Sequence, residues 1–138
     1  MRSVLRVGFA LSLATLWTVW SSEAQDGLTK RDGRGPVTVV ITLTAPPAIG
    51  VPVKAKVVLD THSVALDGIA FEAVVAMRTP DGTDVAPVAI EQATGSGHHR
   101  EAVVVFPPIA APGAVRIVVK NVGGVAERSF SWDTPPAR

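Results

Sequence analysis

The sequence predicts an all-β sandwich of seven antiparallel strands, and three observations carry that prediction. From position 36 onward apolar residues recur at every second position, clusters of Gly, Pro, Asp and Asn interrupt them every eight to twelve residues, and no stretch shows the period of an amphipathic helix. Such alternation turns one face of each strand toward a core and the other toward water.

Strand A is read over Val37–Thr44, with Val37, Val39, Ile41 and Leu43 on one face. After A-P-P-A-I-G, strand B runs over Val51–Leu59, with Val51, Val53, Ala55, Val57 and Leu59 inward and Lys54 and Lys56 in water. Strand C, Ile69–Arg78, buries Ile69, Phe71, Ala73, Val75 and Met77 and exposes Glu72 and Arg78. T-P-D-G-T then makes a turn, since Pro80 presets φ and Gly82 can take a positive φ. Strand D is Val85–Ile90, and Pro87 within it argues for a sheet edge, because a central strand needs the amide donor that proline lacks. Strand E, Glu101–Phe106, is apolar almost throughout and is stopped by P-P-I-A-A-P-G. Strand F, Ala114–Lys120, sends Val115, Ile117 and Val119 inward, and N-V-G-G closes a tight hairpin onto strand G, Val125–Trp132. On that last strand Trp132 is expected to cover the core, and Glu127 and Arg128 to join an exposed cross-strand ion pair of little energetic weight. Seven strands in about a hundred residues suit an immunoglobulin-like sandwich, with an incipient barrel as the alternative.

The two ends of the chain read differently. Met1–Arg6 carries two arginines, Val7–Ser22 is sixteen residues without a charge, and Ser22-Glu23-Ala24 places small residues where a signal peptidase tests them. Residues 1–24 are therefore expected to be a cleaved leader; a retained membrane anchor is the alternative, although a span needs about 20 apolar residues. Residues 25–35 are polar and glycine-rich and are expected to be a flexible lead, 36–133 the sandwich, and 134–138, with two prolines, a disordered tail. The absence of cysteine removes a lipoprotein attachment site and any disulfide, which fits a periplasmic or secreted protein that folds on its core alone.

Cleavage after Ala24 leaves 114 residues with eleven basic and eleven acidic side chains. Zero net charge and no basic stripe give no electrostatic ground for holding nucleic acid or an anionic membrane surface. No nucleophile elbow, phosphate-cradling glycine loop or metalloprotease helix occurs, so the chain is read as non-enzymatic.

All three histidines fall in two loop-like segments: His62 in D-T-H-S-V-A-L-D, and His98 and His99 in Q-A-T-G-S-G-H-H-R. In an immunoglobulin-like order the B–C and D–E loops meet at one end of the sandwich. His62, His98 and His99, with Asp60 as an oxygen donor and Asp67 and Glu91 in reserve, are thus candidate ligands for Cu(II) or Zn(II), which accept imidazole and carboxylate together. Adjacent residues of an extended chain point to opposite sides, so His98 and His99 cannot share one ion unless the glycines bend the segment. Two other uses of these residues stand beside metal binding: hydrogen bonds that shape the loops, and contact with an envelope protein partner through strand D or strand E.

The segments D-T-H-S-V at 60–64, G-S-G-H-H-R at 95–100 and E-R-S-F-S-W at 127–132 resemble a group of small exported bacterial and archaeal proteins. That resemblance implies a sandwich fold and assigns no activity. In size, leader and His-bearing end loops the chain is also similar to periplasmic copper-binding sandwiches of the copper-resistance type. It departs from them in having no methionine-rich segment and in beginning, after cleavage, with Gln25 rather than histidine.

Overall fold

The structure, a computed structural model, describes residues 27–136; the expected leader and Gln25 lie outside them. Nine strands and one helical turn follow in order: β1 (Thr29–Asp32), β2 (Val37–Leu43), β3 (Pro52–Thr61), α1 (Phe71–Val74), β4 (Val75–Arg78), β5 (Asp84–Val85), β6 (Ala89–Ser96), β7 (His99–Pro108), β8 (Gly113–Val122) and β9 (Val125–Thr134). They form two antiparallel sheets, β1-β2-β3-β7-β6 and β5-β4-β8-β9. With β1 and β5 set aside, these orders are A-B-E-D and C-F-G, the immunoglobulin-like arrangement that the strand count implies. No helix among the described residues is long and apolar enough to cross a membrane.

The core lies between the sheets, and the period-two pattern builds it. Val37, Val39, Ile41 and Leu43 of β2, Val53, Ala55, Val57 and Leu59 of β3, and Ala102, Val104 and Phe106 of β7 face Val75 and Met77 of β4, Val115, Ile117 and Val119 of β8, and Phe130 and Trp132 of β9. Trp132 covers the core as expected, donating its indole N–H to the Gly27 carbonyl oxygen at 2.9 Å.

The structure departs from the sequence reading where local chain geometry breaks the alternation. Phe71–Val74 is a helical turn, so Ala73 is exposed rather than buried and Ile69 is only half-buried; Leu66, in the loop, is fully buried instead. Val51 precedes a register shift between Pro52 and Val53 and is 51% exposed. Predicted strand D is two strands, because the chain crosses from the four-stranded to the five-stranded sheet at 86–88, and Pro87 sits in that crossing, where no ladder donor is needed. The expected flexible lead contains β1, paired with β2 from Thr29↔Thr42 to Asp32↔Val39. The expected disordered tail begins with Thr134, which is the last residue of β9 and is buried.

On the outer face of the four-stranded sheet Val118 is fully buried, because Arg78 reaches across its row to Glu127. Arg78 also binds Asp84 through two nitrogens, and Lys120 reaches Asp84 Oδ2 at 2.5 Å. The hydrogen bonds from Arg78, with help from Lys120, hold the Asp84 carboxyl at about 2. Arg78 likewise holds Glu127 below the usual carboxylate range. A carboxyl lowered on folding contributes stability that is complete above its unfolded pKa of ~4 and is lost as pH falls through the folded value. Stability is therefore expected to drop between about pH 4 and pH 2, and Asp84→Asn should make that drop shallower. Urea midpoints measured across this range check the expectation; an unchanged slope in the variant would dismiss Asp84 as a contributor.

Candidate functional site

The two histidine segments do meet at one end of the sandwich. β6 and β7 are joined by the two-residue turn Gly97-His98, in which only Gly97 has positive φ, as in a type II′ hairpin. The His98 carbonyl oxygen accepts the Thr61 N–H at 2.9 Å, which puts His62, the next residue, beside that turn. Asp60 lies directly across from His99 in the β3–β7 ladder.

Two arginines close this end of the core. Arg100, on the inward parity of β7, donates one guanidinium nitrogen to the carbonyl oxygens of Leu66 at 3.0 Å and of Ile69, and stacks over Phe71 with 5.1 Å to the ring centroid. Arg128 is fully buried, which overturns its expected place in a surface ion pair: Glu127 turns outward to Arg78, and the parity of β9 turns Arg128 inward. Its Nη1 donates to Val122 O at 2.7 Å and its Nη2 to Arg34 O at 2.6 Å and Val37 O at 3.0 Å. Its Nε has no hydrogen-bond partner and lies 3.7 Å from Asp32 Oδ1. Burial pulls the Arg128 pKa down from its ordinary value, with Asp32 opposing that shift.

The loop backbone at this end is well tied. Leu66 N–H donates to Gly97 O at 2.8 Å, Gly97 N–H to Asp67 Oδ1 at 2.9 Å, and the Thr61 hydroxyl to Pro36 O at 2.7 Å. Asp67, held in reserve as a ligand, is thus spent on the turn. Glu91 is not at the end at all: β6 runs six residues past the predicted end of strand D, so Glu91 sits mid-strand, 3.2 Å from Lys54 Nζ.

The imidazole of His99 lies on the outer face of the five-stranded sheet between two carboxylates. Nδ1 is 3.6 Å from Asp60 Oδ1, and Nε2 is 3.6 Å from Glu101 Oε2. Glu101 was not among the sequence candidates, although H-R-E puts His99 and Glu101 on one face of an extended strand. Hydrogen bonding from Lys56, more than His99, lowers the Glu101 pKa. Because the two ring nitrogens address different carboxylates on opposite sides, one ion cannot collect Asp60 and Glu101 through this ring as it stands. His62 and His98 are exposed, and among the described residues no three His, Cys, Asp or Glu side chains are arranged to hold a metal ion.

A second concavity lies along the side of the sandwich, between β1 of one sheet and β9 of the other. It is a groove of about 660 Å³ lined by Lys30, Arg31, Asp32, Gly33 and Arg34 and by Ser129, Phe130 and Ser131. β9 is the edge of its sheet, and its ladder with β8 is continuous from Gly113↔Thr134 to Lys120↔Glu127, with Val122↔Val125 paired beyond Asn121. The turn residues Gly123 and Gly124 have φ of 60 and 72, a type I′ turn, which makes Val122 and Val125 a hydrogen-bonded pair. Asn121, at φ 56, breaks the alternation beside the turn. Gly113↔Thr134 is a hydrogen-bonded pair because Pro135 has no N–H for the other bridge type. Val115↔Trp132, Ile117↔Phe130 and Val119↔Arg128 bond likewise, so the N–H and C=O of Glu127, Ser129 and Ser131 turn away from β8. The other edges are shorter or broken: β1 has four residues, β5 two, and β6 has a bulge between Glu91 and Thr94 with Gln92 at φ 51. β7, named from the sequence as a contact strand, is paired on both sides and has no edge to offer.

No family model, curated protein or solved structure matches the chain.

Proposed function

We propose that this protein is an exported periplasmic β-sandwich without catalytic activity that recognises a protein partner by strand addition at β9. One observation carries this reading: β9 is a ten-residue edge that keeps one register with β8 throughout and faces a groove, while the remaining edges are short or bulged. Outward N–H and C=O groups on such an edge are a template for an extended segment. The leader-like segment 1–24 supports export.

The test is to remove one outward donor and leave the core alone. A semisynthetic protein carrying an N-methyl group on the Ser129 amide keeps its side chain and the β8–β9 bonds. Displayed libraries of extended ten-residue peptides should yield binders to the native protein that lose at least tenfold in affinity for the N-methylated form. Binders indifferent to the methyl group would overturn the reading.

Metal binding by His62, His98, His99 and Asp60 is a second reading, favoured by their shared position at one end. It requires the His99 ring to rotate away from one of its carboxylates. Calorimetric titration with Cu(II) and Zn(II) should then give stoichiometric heat that His62→Ala and His98→Ala/His99→Ala abolish; equal, weak heats in all three proteins would end it.

A further inference from the structure

We infer that the segment recognised at β9 is acidic, with Asp or Glu at alternate positions; this inference rests on the strand-addition reading and narrows its partner. The wall of the groove opposite β9 carries the side chains of Lys30 and Arg34 and a single carboxylate, Asp32, while Arg31 turns to the outer face of its sheet. That carboxylate is already occupied: Arg34 holds both its oxygens, at 2.5 Å for the closest contact, and the buried Arg128 stands 3.7 Å behind it. Arg34 lowers the Asp32 pKa, so it stays ionised and matched to its own partners. Lys30 stands over the Trp132 ring, 5.5 Å from its centroid. It is in no ion pair among the described residues, so the wall presents a positive charge that the protein does not itself neutralise.

The positions of these cations fit an added strand. A chain laid along β9 would send every second side chain toward the β1 wall, at a repeat of about 6.6 to 6.8 Å for two residues. Lys30 and Arg34 lie along that wall, and the Arg34 Nη2 already donates to Glu127 O of β9 at 3.3 Å, so its guanidinium reaches the edge where a bound segment would lie. The intervening side chains would pass over Ser129 and Ser131, which are exposed and uncharged and give no reason to select for charge. Specificity thus comes from the wall, and affinity from the backbone of β9.

Fluorescence anisotropy with three labelled ten-residue peptides tests this on the intact protein. They share one β-prone sequence and carry Asp, Asn or Lys at its alternate positions. The Asp peptide is expected to bind at least tenfold tighter than the Asn peptide at low salt, to lose that margin in 0.5 M NaCl, and to bind Lys30→Gln no better than the Asn peptide does. N-methylation of Ser129 should weaken both peptides. Equal binding of the Asp and Asn peptides would overturn the acidic preference and leave strand addition standing. Acidic binding that ignores the methyl group would overturn strand addition itself. Sedimentation giving a dimer that the methyl group dissolves would name a second copy as the occupant and overturn the proposal. Circular dichroism of each variant secures that loss of binding is not loss of fold.

Discussion

Arg128→Met is expected to lower the unfolding free energy by about 3 kcal/mol, a large fraction of the ~5–15 kcal/mol available to a domain of this size. Arg128 is fully buried and feeds the carbonyl oxygens of Val122, Arg34 and Val37, which bring the β8–β9 turn, the β1–β2 loop and the start of β2 to one point. Methionine is similar in volume and removes the cost of burying a guanidinium whose Nε has no hydrogen-bond partner. It also leaves acceptors without donors, at about 1–3 kcal/mol for each that stays dry. The second effect is larger because three carbonyls depend on one side chain. Arg128→Lys should recover little, since one ammonium cannot span acceptors that a planar fork reaches from two nitrogens. Urea denaturation of the three proteins decides it; a loss below about 1 kcal/mol for Arg128→Met would mean that the carbonyls find water or other donors.

Gly95→Ala is expected to cost about 2–3 kcal/mol and Gly97→Ala about 1, although the two glycines stand two residues apart in the same hairpin. Both have positive φ, 86 and 63, so both substitutions carry left-handed strain. They differ in room. A Cβ on Gly95 would lie 2.2 Å from the His99 carbonyl oxygen and 3.0 Å from the Arg100 Cα, whereas a Cβ on Gly97 meets nothing within 4 Å. The obstacle at Gly95 is backbone of the paired strand, which can move only by opening the β6–β7 ladder between Gly95↔Arg100 and Ser96↔His99. Thermal unfolding of both variants checks the difference. Equal losses would show that the strands part easily here and that the His99 position is less constrained than the ladder implies.

Much of this fold is legible from residue order. Wherever a strand is long and regular, as in β2, β8 and β9, period-two patterning alone places its core residues. The pattern fails at Phe71–Val74, where the helical turn changes the period, and at β1, whose T-K-R-D has no apolar alternation and pairs through its backbone. The candidate residues were half legible. Loop order brings His62 beside the His98–His99 turn, and H-R-E sets Glu101 on the face of His99, yet the sequence offered no sign that Asp67 would be used by the turn.

Arg128 marks the boundary most sharply. Strand type, sheet membership and the face on which each apolar residue sits follow from local chemistry, since a two-residue period and a Gly-Gly turn act within a few positions of themselves. Whether a charged residue on an inward parity is expelled or kept depends on what stands opposite it. Carbonyls of residues 34 and 37, more than ninety positions away, make burial of Arg128 tolerable. The same holds for the groove: β1 and β9 lie at opposite ends of the described chain, and only the stacking of two sheets sets Lys30 against Ser129 and Ser131.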